Sequence, residues 1–595
     1  MRNSKTKKRM SLVALLLIFI LILVSCAQDT PPPAGDGAGD EAGDVAGEQA
    51  QGEEAGEEGQ APEREVVVLT ALLEGITHEG IVETDLDAAI LDELGIIVDR
   101  TTATNERLAL VTAAGDLPDI IHFFDSPDIA NTQVAGGTLH PLDDLLERYG
   151  QNLLNNIPTA LRWSREIVGG GTTYLIPTRT SIADTDNPNR NGWFGNFFTR
   201  WDIYYAIGAP EMNNEDEFLE VLLMMMEYQP YTVDGRRTWG LTLWTDWGLW
   251  PFIHTYGNAH GFEVMAGMGA MLNRNTMEVE SRFIDPDGIF WQSLRFFNKA
   301  WNMGVLDPDG FTNQTDQVAE KIAHGEVLSA PANWWTPDRD IVGEDALIVM
   351  LPGPFPVFDT VFPRESLLGL QESHSLAISL HSEHPDRAMQ LIDWINSERG
   401  LRMMETGIQG EDWDIVDGRP QLLGLRRENH LAGTWDQDFA DGRGLHAYWQ
   451  MNVGSAVFAD GFPAFIGNAL EYMMLGAIPA EIHFATHWAG PDARIPGQAY
   501  VAMIEQGLVI SYYADDLMTV SLGDPLPEDI IRIINQAYAF MEANIARIVM
   551  SADYDEFRAH RDSMIEEMIR MGADTAWEAV QENVEQSRER LELFR

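Results

Sequence analysis

Short β-branched runs alternate with amphipathic stretches from residue 66 onward, and this alternation is what most limits the fold. Residues 66–70 (VVVLT) read as a buried strand and Asp85 to Leu94 as an amphipathic helix. Residues 95–99 (GIIVD) predict a second strand, 106–114 a helix stopped by Gly115, and 119–123 (DIIHF) a third strand. Strand, helix and strand joined by short turns imply right-handed crossovers and a largely parallel sheet, hence an α/β fold. Such sheets bind ligands beyond the carboxyl ends of their strands, which directs attention to residues 72–77, 123–127 and 174–178.

The amino terminus constrains location. Residues 2–9 carry five basic side chains and no acidic one, and residues 12–24 form an unbroken apolar run of 13, followed by Ser25 and Cys26. This is the order of a secretory signal peptide, and the run is short of the ~20 residues a membrane-crossing helix needs. Residues 1–25 are therefore expected to be a signal peptide. Cys26 is the only cysteine, so a disulfide within the chain is impossible. Residues 26–65 follow as a tether: Pro31, Pro32 and Pro33 lead into Gly, Ala, Asp and Glu without an aromatic residue. Such a composition cannot bury enough apolar surface to offset the entropy of ordering it.

Charge excludes some partners. The chain stands at −54; without the five leader cations it is near −59, and the tether's 12 acids and one arginine leave about −48 on residues 66–595. A surface this negative repels nucleic acid and anionic headgroups, so no nucleic-acid partner is expected, and membrane association only through an anchor. Only Lys299 and Lys321 remain as lysines after the leader. The body of about 530 residues suits two to four domains, and a hydrophobic share of 45% provides for sizeable cores.

Several segments in order resemble one family. Residues 23–26 (LVSC) resemble the bacterial lipobox. Residues 114–121 (AGDLPDII), 139–143 (LHPLD), 173–177 (TYLIP) and 301–308 (WNMGVLDP) resemble motifs of the solute-binding proteins of bacterial sugar importers, especially their Gram-positive lipoprotein branch. So do residues 333–335 (NWW), 384–388 (HPDRA) and 407–413 (GIQGEDW). The resemblance spans residues 114–413 and thins out beyond. It implies a two-lobed, periplasmic-binding-protein-like α/β fold with hinge strands and a ligand cleft between the lobes. Lobe one is expected at 66–180 plus 370–402, and lobe two at 185–365 plus 405–595. It further implies a monomer, lipidated at Cys26, that captures an oligosaccharide on the outer face of the cell membrane and delivers it to ABC permease subunits.

Sugars present apolar faces and hydroxyl rims, so aromatic platforms and hydrogen-bonding side chains are the candidate ligand groups. Trp334 or Trp335 falls where relatives of that family place a stacking tryptophan, and only one of two adjacent tryptophans is expected to face a cleft. Trp244 and Trp247, three apart, are the second aromatic candidates, and Asp125, Asp246 and Glu372 are candidate hydroxyl acceptors. A secreted glycoside-active enzyme and a peptide- or surface-interaction lipoprotein are the alternatives. The chain carries no Gly-x-Ser-x-Gly elbow, His-Glu-x-x-His helix or Gly-x-x-x-x-Gly-Lys loop, so no catalytic residue, cofactor or metal is expected. Asp412, Asp414 and Asp417 lack the frame of a calcium loop and read as an Asp-rich turn. If Cys26 is the lipid acceptor, Cys26→Ser transfers the protein from the membrane fraction to the medium; a variant that stays membrane-bound refutes the anchor.

Overall fold

A computed structural model describes residues 65–591 apart from 77, 125–126, 179–194, 266, 356, 362–373, 434–435, 446, 454–456 and 514–521. The expected strands and helices at the start of the body are present as Val67–Leu73, Asp85–Leu94, Ile96–Thr102, Asn105–Ala114 and Ile120–Phe124. Local chemistry sets the ends. Thr84 and Asp87 form a reciprocal capping box, the backbone N–H of Asp87 donating to the Thr84 hydroxyl at 3.1 Å, and Gly95 closes the helix at φ 66°.

Val67–Leu73 is the centre of a six-stranded sheet, parallel to Ile96–Thr102 on one side and to Ile120–Phe124 on the other. The sheet is less parallel than the alternation predicts. Distant segments supply the other partners: His374–Ile378 runs antiparallel to Ile120–Phe124, and Ile176–Pro177 antiparallel to His374–Ile378. Gly80–Ile81 closes the opposite edge, also antiparallel. Helices Pro385–Ile395 and Glu398–Glu405 contribute Leu391, Ile392 and Leu401 to the core beneath this sheet.

A second core holds the antiparallel strands Gly195–Arg200, Ser329–Ala332 and Ile348–Met350. Around them pack Glu215–Tyr228, Ile289–Met303 and the carboxy-terminal helices Glu528–Val549, Tyr554–Met571 and Ala573–Leu591. Asn298 ties Ile289–Met303 to the carboxy-terminal helices, its amide donating to the carbonyls of Val549 (2.8 Å) and Ser551 (2.7 Å).

The two-part division by sequence placed 405–595 entirely with the second lobe, but Ala447, Tyr448, Met451, Val453 and Ala464 pack in the first core. Polar bonds hold them there. Tyr448 Oη donates to Asp87 at 2.6 Å, and Asn396 binds the carbonyl of Met451 at 2.9 Å and the N–H of Val453 at 2.8 Å. Beside this junction lies Glu405, whose carboxyl burial pushes up to about 7 against the opposing pull of Arg426 and a hydrogen bond from Asn452. The folded protein thus keeps this proton where an unfolded chain, near 4.5, releases it. The stabilisation from the neutral carboxyl is complete below about pH 4.5 and is lost as pH rises through about 7. Stability curves measured by chemical denaturation should therefore fall across that window, and Glu405→Gln should flatten the fall; an unchanged slope would contradict the shift.

Candidate functional site

Trp334 and Trp335 follow the strand Ser329–Ala332, whose pairing with Gly195–Arg200 slips between Ala330 and Ala332. The structure separates the two indoles: Trp334 is 44% exposed and Trp335 is 8% exposed. The other pair divides the same way, with Trp247 at 40% and Trp244 at 2%. All four belong to one cluster, although about 90 residues separate the pairs. Trp335 lies edge-on to Trp244 at 5.1 Å between centroids and stacks on Trp247 at 5.7 Å. Trp247 lies 6.2 Å from Trp334. Trp250, present in the same aromatic stretch but not singled out as a ligand residue by sequence, completes the cluster at 5.3 Å from Trp244 and 5.8 Å from Trp334.

The inner tryptophans are core residues and offer no face to a ligand; they hold the outer two. The loop bearing Trp247 is fixed from outside as well. Asp246 accepts from the backbone N–H of Thr315 at 3.0 Å and from its hydroxyl at 2.7 Å, which binds the loop to the first turn of helix Thr315–Ala323. Asp246 therefore helps to position its neighbour Trp247. Leu249 N–H donates to Tyr538 Oη at 3.2 Å. Gly248 stands between them at φ 56°, a left-handed conformation that favours glycine. Burial pushes the Glu542 carboxyl above its ordinary range.

A cavity of about 740 Å³ opens beside this patch, within the ~300–1,000 Å³ of small-molecule sites. Asn333 and Thr336, which bracket the Trp334–Trp335 pair in the chain, line it, together with Phe198 and Tyr500 of the second core. Ala432 and Gly433 supply the facing wall. They end helix Gly424–Ala432, whose Arg426 donates to the carbonyls of Thr406 (3.1 Å) and Glu405 (2.7 Å), where the first core's last helix stops. The cavity thus lies where the second core meets the chain leaving the first. Sequence gave no signal for this lining, because its charged members sit in turns and helix starts that read as solvated.

The strand-end segments also carry polar groups. Glu74 accepts a hydrogen bond from Gln450, and His122, Phe124 and His374 form a ring cluster in which His122 stacks on His374 at 5.7 Å. Asp125 and Glu372 lie outside the described residues. Asp412 accepts from Ile408 N–H at 2.7 Å and pairs with Arg443 at 3.1 Å, inside the Asp-rich turn. Among the described residues, no group of three or more His, Cys, Asp or Glu is placed to hold a metal ion.

Two cores built from interleaved chain segments, with a cavity where the second core meets the chain leaving the first, match the two-lobed α/β fold of solved solute-binding proteins. Solved structures of that class superpose on most of this chain. The alginate-binding protein AlgQ2 (without calcium ion) matches with a TM-score of 0.57 and 12% identity, covering 88% of this chain and 99% of its own. A human-milk-oligosaccharide (HMO) binding, ABC-transporter associated solute-binding protein from Bifidobacterium longum infantis gives 0.54 and 13%, covering 89% and 99%. The S. pneumoniae ABC-transporter substrate-binding protein FusA, in complex with kestose, gives 0.55 and 14%, covering 89% and 99%. No family model and no curated protein sequence matches the chain. At these identities the likeness is one of fold.

The division of the tryptophans has a direct consequence for stability. Trp335→Ala and Trp244→Ala should each cost about 3–5 kcal/mol by emptying a core site, whereas Trp334→Ala and Trp247→Ala should cost under about 1 kcal/mol. Denaturant titrations of the four variants decide it; equal losses in both pairs would contradict the inner and outer assignment.

Proposed function

We propose that this protein captures an oligosaccharide at the outer face of the cell membrane, held there by a lipid on Cys26, and hands it to the permease subunits of an ABC importer. The carrying observation is the exposed Trp334–Trp247 pair, braced from behind by Trp244 and Trp335, next in the chain to Asn333 and Thr336, which line a cavity on the second core. Indole faces complement the C–H faces of sugar rings, and a braced indole loses little rotamer freedom when it binds. The proteins that share the fold support a carbohydrate ligand, since one is an alginate-binding protein, one binds human milk oligosaccharides and one is in complex with kestose. They also support transport over catalysis, since two are tied to ABC transporters.

The extracytoplasmic setting is supported by the leader and by the Cys26 lipobox. No helix among the described residues is long and apolar enough to cross a membrane. Closure of the two lobes over the sugar is the motion this architecture suggests, with the segments that pass between the cores as the hinge.

The test is titration calorimetry against a panel of oligosaccharides, with the recovered sugar analysed afterwards by mass. The wild-type chain should bind one class and return it uncleaved. Trp334→Ala should weaken binding about thirtyfold, equivalent to ~2 kcal/mol, while melting near the wild-type temperature. Cleaved sugar would identify an enzyme instead, and unchanged affinity in Trp334→Ala would remove this platform.

A further inference from the structure

We propose that the cavity beside the tryptophan patch selects glycans without negative charge, and that Asp340, Glu344 and Glu481 turn acidic sugars away. The inference rests on the reading that this site takes a carbohydrate. Five formally charged side chains line the cavity: Asp338, Asp340, Glu344 and Glu481 against the single guanidinium of Arg339. The lining therefore has a formal charge of −3.

The hydrogen bonds show how these charges are used. Asp338 accepts from Asp340 N–H at 2.9 Å and caps the short helix Arg339–Val342, and Glu481 accepts from Ile478 N–H at 2.9 Å at the start of helix Pro479–Ala489. A capped amide screens a carboxylate but does not neutralise it. The carboxylates of Asp340 and Glu344 make no hydrogen bond or ion pair with any described residue, so their charge and acceptor capacity are available to whatever enters. Among the described residues Arg339 forms no ion pair either. It reaches toward the facing wall, where a Cβ on Gly433 would lie 3.1 Å from its terminal nitrogen. Burial raises Glu481 and the Arg339 charge opposes that rise, so the one cation is partly engaged inside the lining.

The balance decides the guest. A hydroxyl donates to a carboxylate in a charge-assisted bond, so a neutral sugar gains from the same groups that repel a uronate or sialate. One guanidinium can pair with one ligand carboxylate, but the other acids then face that ligand uncompensated, in a body of about −48 that adds to the repulsion. Specificity here is built from repulsion as well as attraction.

The experiment is calorimetry on the full processed chain with length-matched tetrasaccharides, neutral hexose chains against chains of the corresponding uronic acids. At low salt the neutral member of the best-binding pair should be tighter by on the order of tenfold or more. The ratio should shrink in molar sodium chloride, because screening acts on charge and leaves shape untouched. The double variant Asp340→Asn, Glu344→Gln should narrow the ratio several-fold, and its melting curve reports whether it folds; Glu481→Gln alone is the second variant should it not. An acidic tetrasaccharide that binds as tightly as its neutral counterpart overturns the proposal, as does a ratio that neither salt nor the variants move. If Trp334-dependent binding of neutral sugars persists in that case, the proposed function stands and only the charge selection falls. If no sugar of either kind binds, both fall.

Discussion

The strand His374–Ile378 pairs with Ile120–Phe124 along its whole length, from His374 opposite Phe124 to Ile378 opposite Ile120. By then the chain has left the first core after Ile176–Pro177 and built the strands and helices of the second. Its return, buried at every position, makes the first sheet depend on a segment about 250 residues downstream. Because the two halves are interleaved, neither can complete its core without the chain crossing between them. A cavity bounded by the second core and by the segment leaving the first follows from that connectivity. The tight pairing of Asn396 and Tyr448 with later and earlier segments extends the same logic, anchoring residues 447–453 to two helices of the first core.

The tryptophan cluster shows how a binding surface is kept rigid in such a frame. An exposed indole on a loop would lose rotamer freedom on binding, and that entropy counts against affinity. Here the burial of Trp244 and Trp335 fixes two loops against each other before any ligand arrives, and Asp246 fixes one of them again through Thr315. The aromatic contacts contribute about 0.5–1.5 kcal/mol each beyond the area they bury. The outer faces of Trp247 and Trp334 are thereby presented by the core itself.

Legibility in the sequence followed the range of the interactions. Helix Asp85–Leu94 was readable to its ends because Thr84, Asp87 and Gly95 act within a few residues. The strand Val67–Leu73 was readable from its β-branched run. The adjacency of Trp334 and Trp335 also told that one would be buried, since neighbouring side chains after a strand diverge. What was not readable arises at a distance. Nothing in residues 244–250 says that they meet residues 334–335, and nothing near 447 reveals a partner at Asp87. The bond between Asp246 and Thr315 was unreadable for the same reason, since 69 residues separate them.

Charge is distributed by a related economy. Both lysines of the body are used in pairs, Lys299 with Asp216 at 2.5 Å and Lys321 with the buried Asp307 at 2.7 Å. Several arginines are sunk in the interior: Arg200 binds Asp202 through two nitrogens, Arg274 meets Glu263 at 2.6 Å, and Arg402 meets Asp460 at 2.5 Å. Arginine suits these places because its planar fork matches a carboxylate and it is less strongly hydrated than an ammonium. Removing one partner from such a pair would strand a buried charge, at a cost of about 3–5 kcal/mol. The consequence reaches the surface. Each internal pair removes one acid together with one base, so the excess of acids over bases in the body, about −48, stays at the surface and is what a ligand meets. In a binding cavity that excess becomes a set of acceptors for hydroxyl groups and a barrier to other anions.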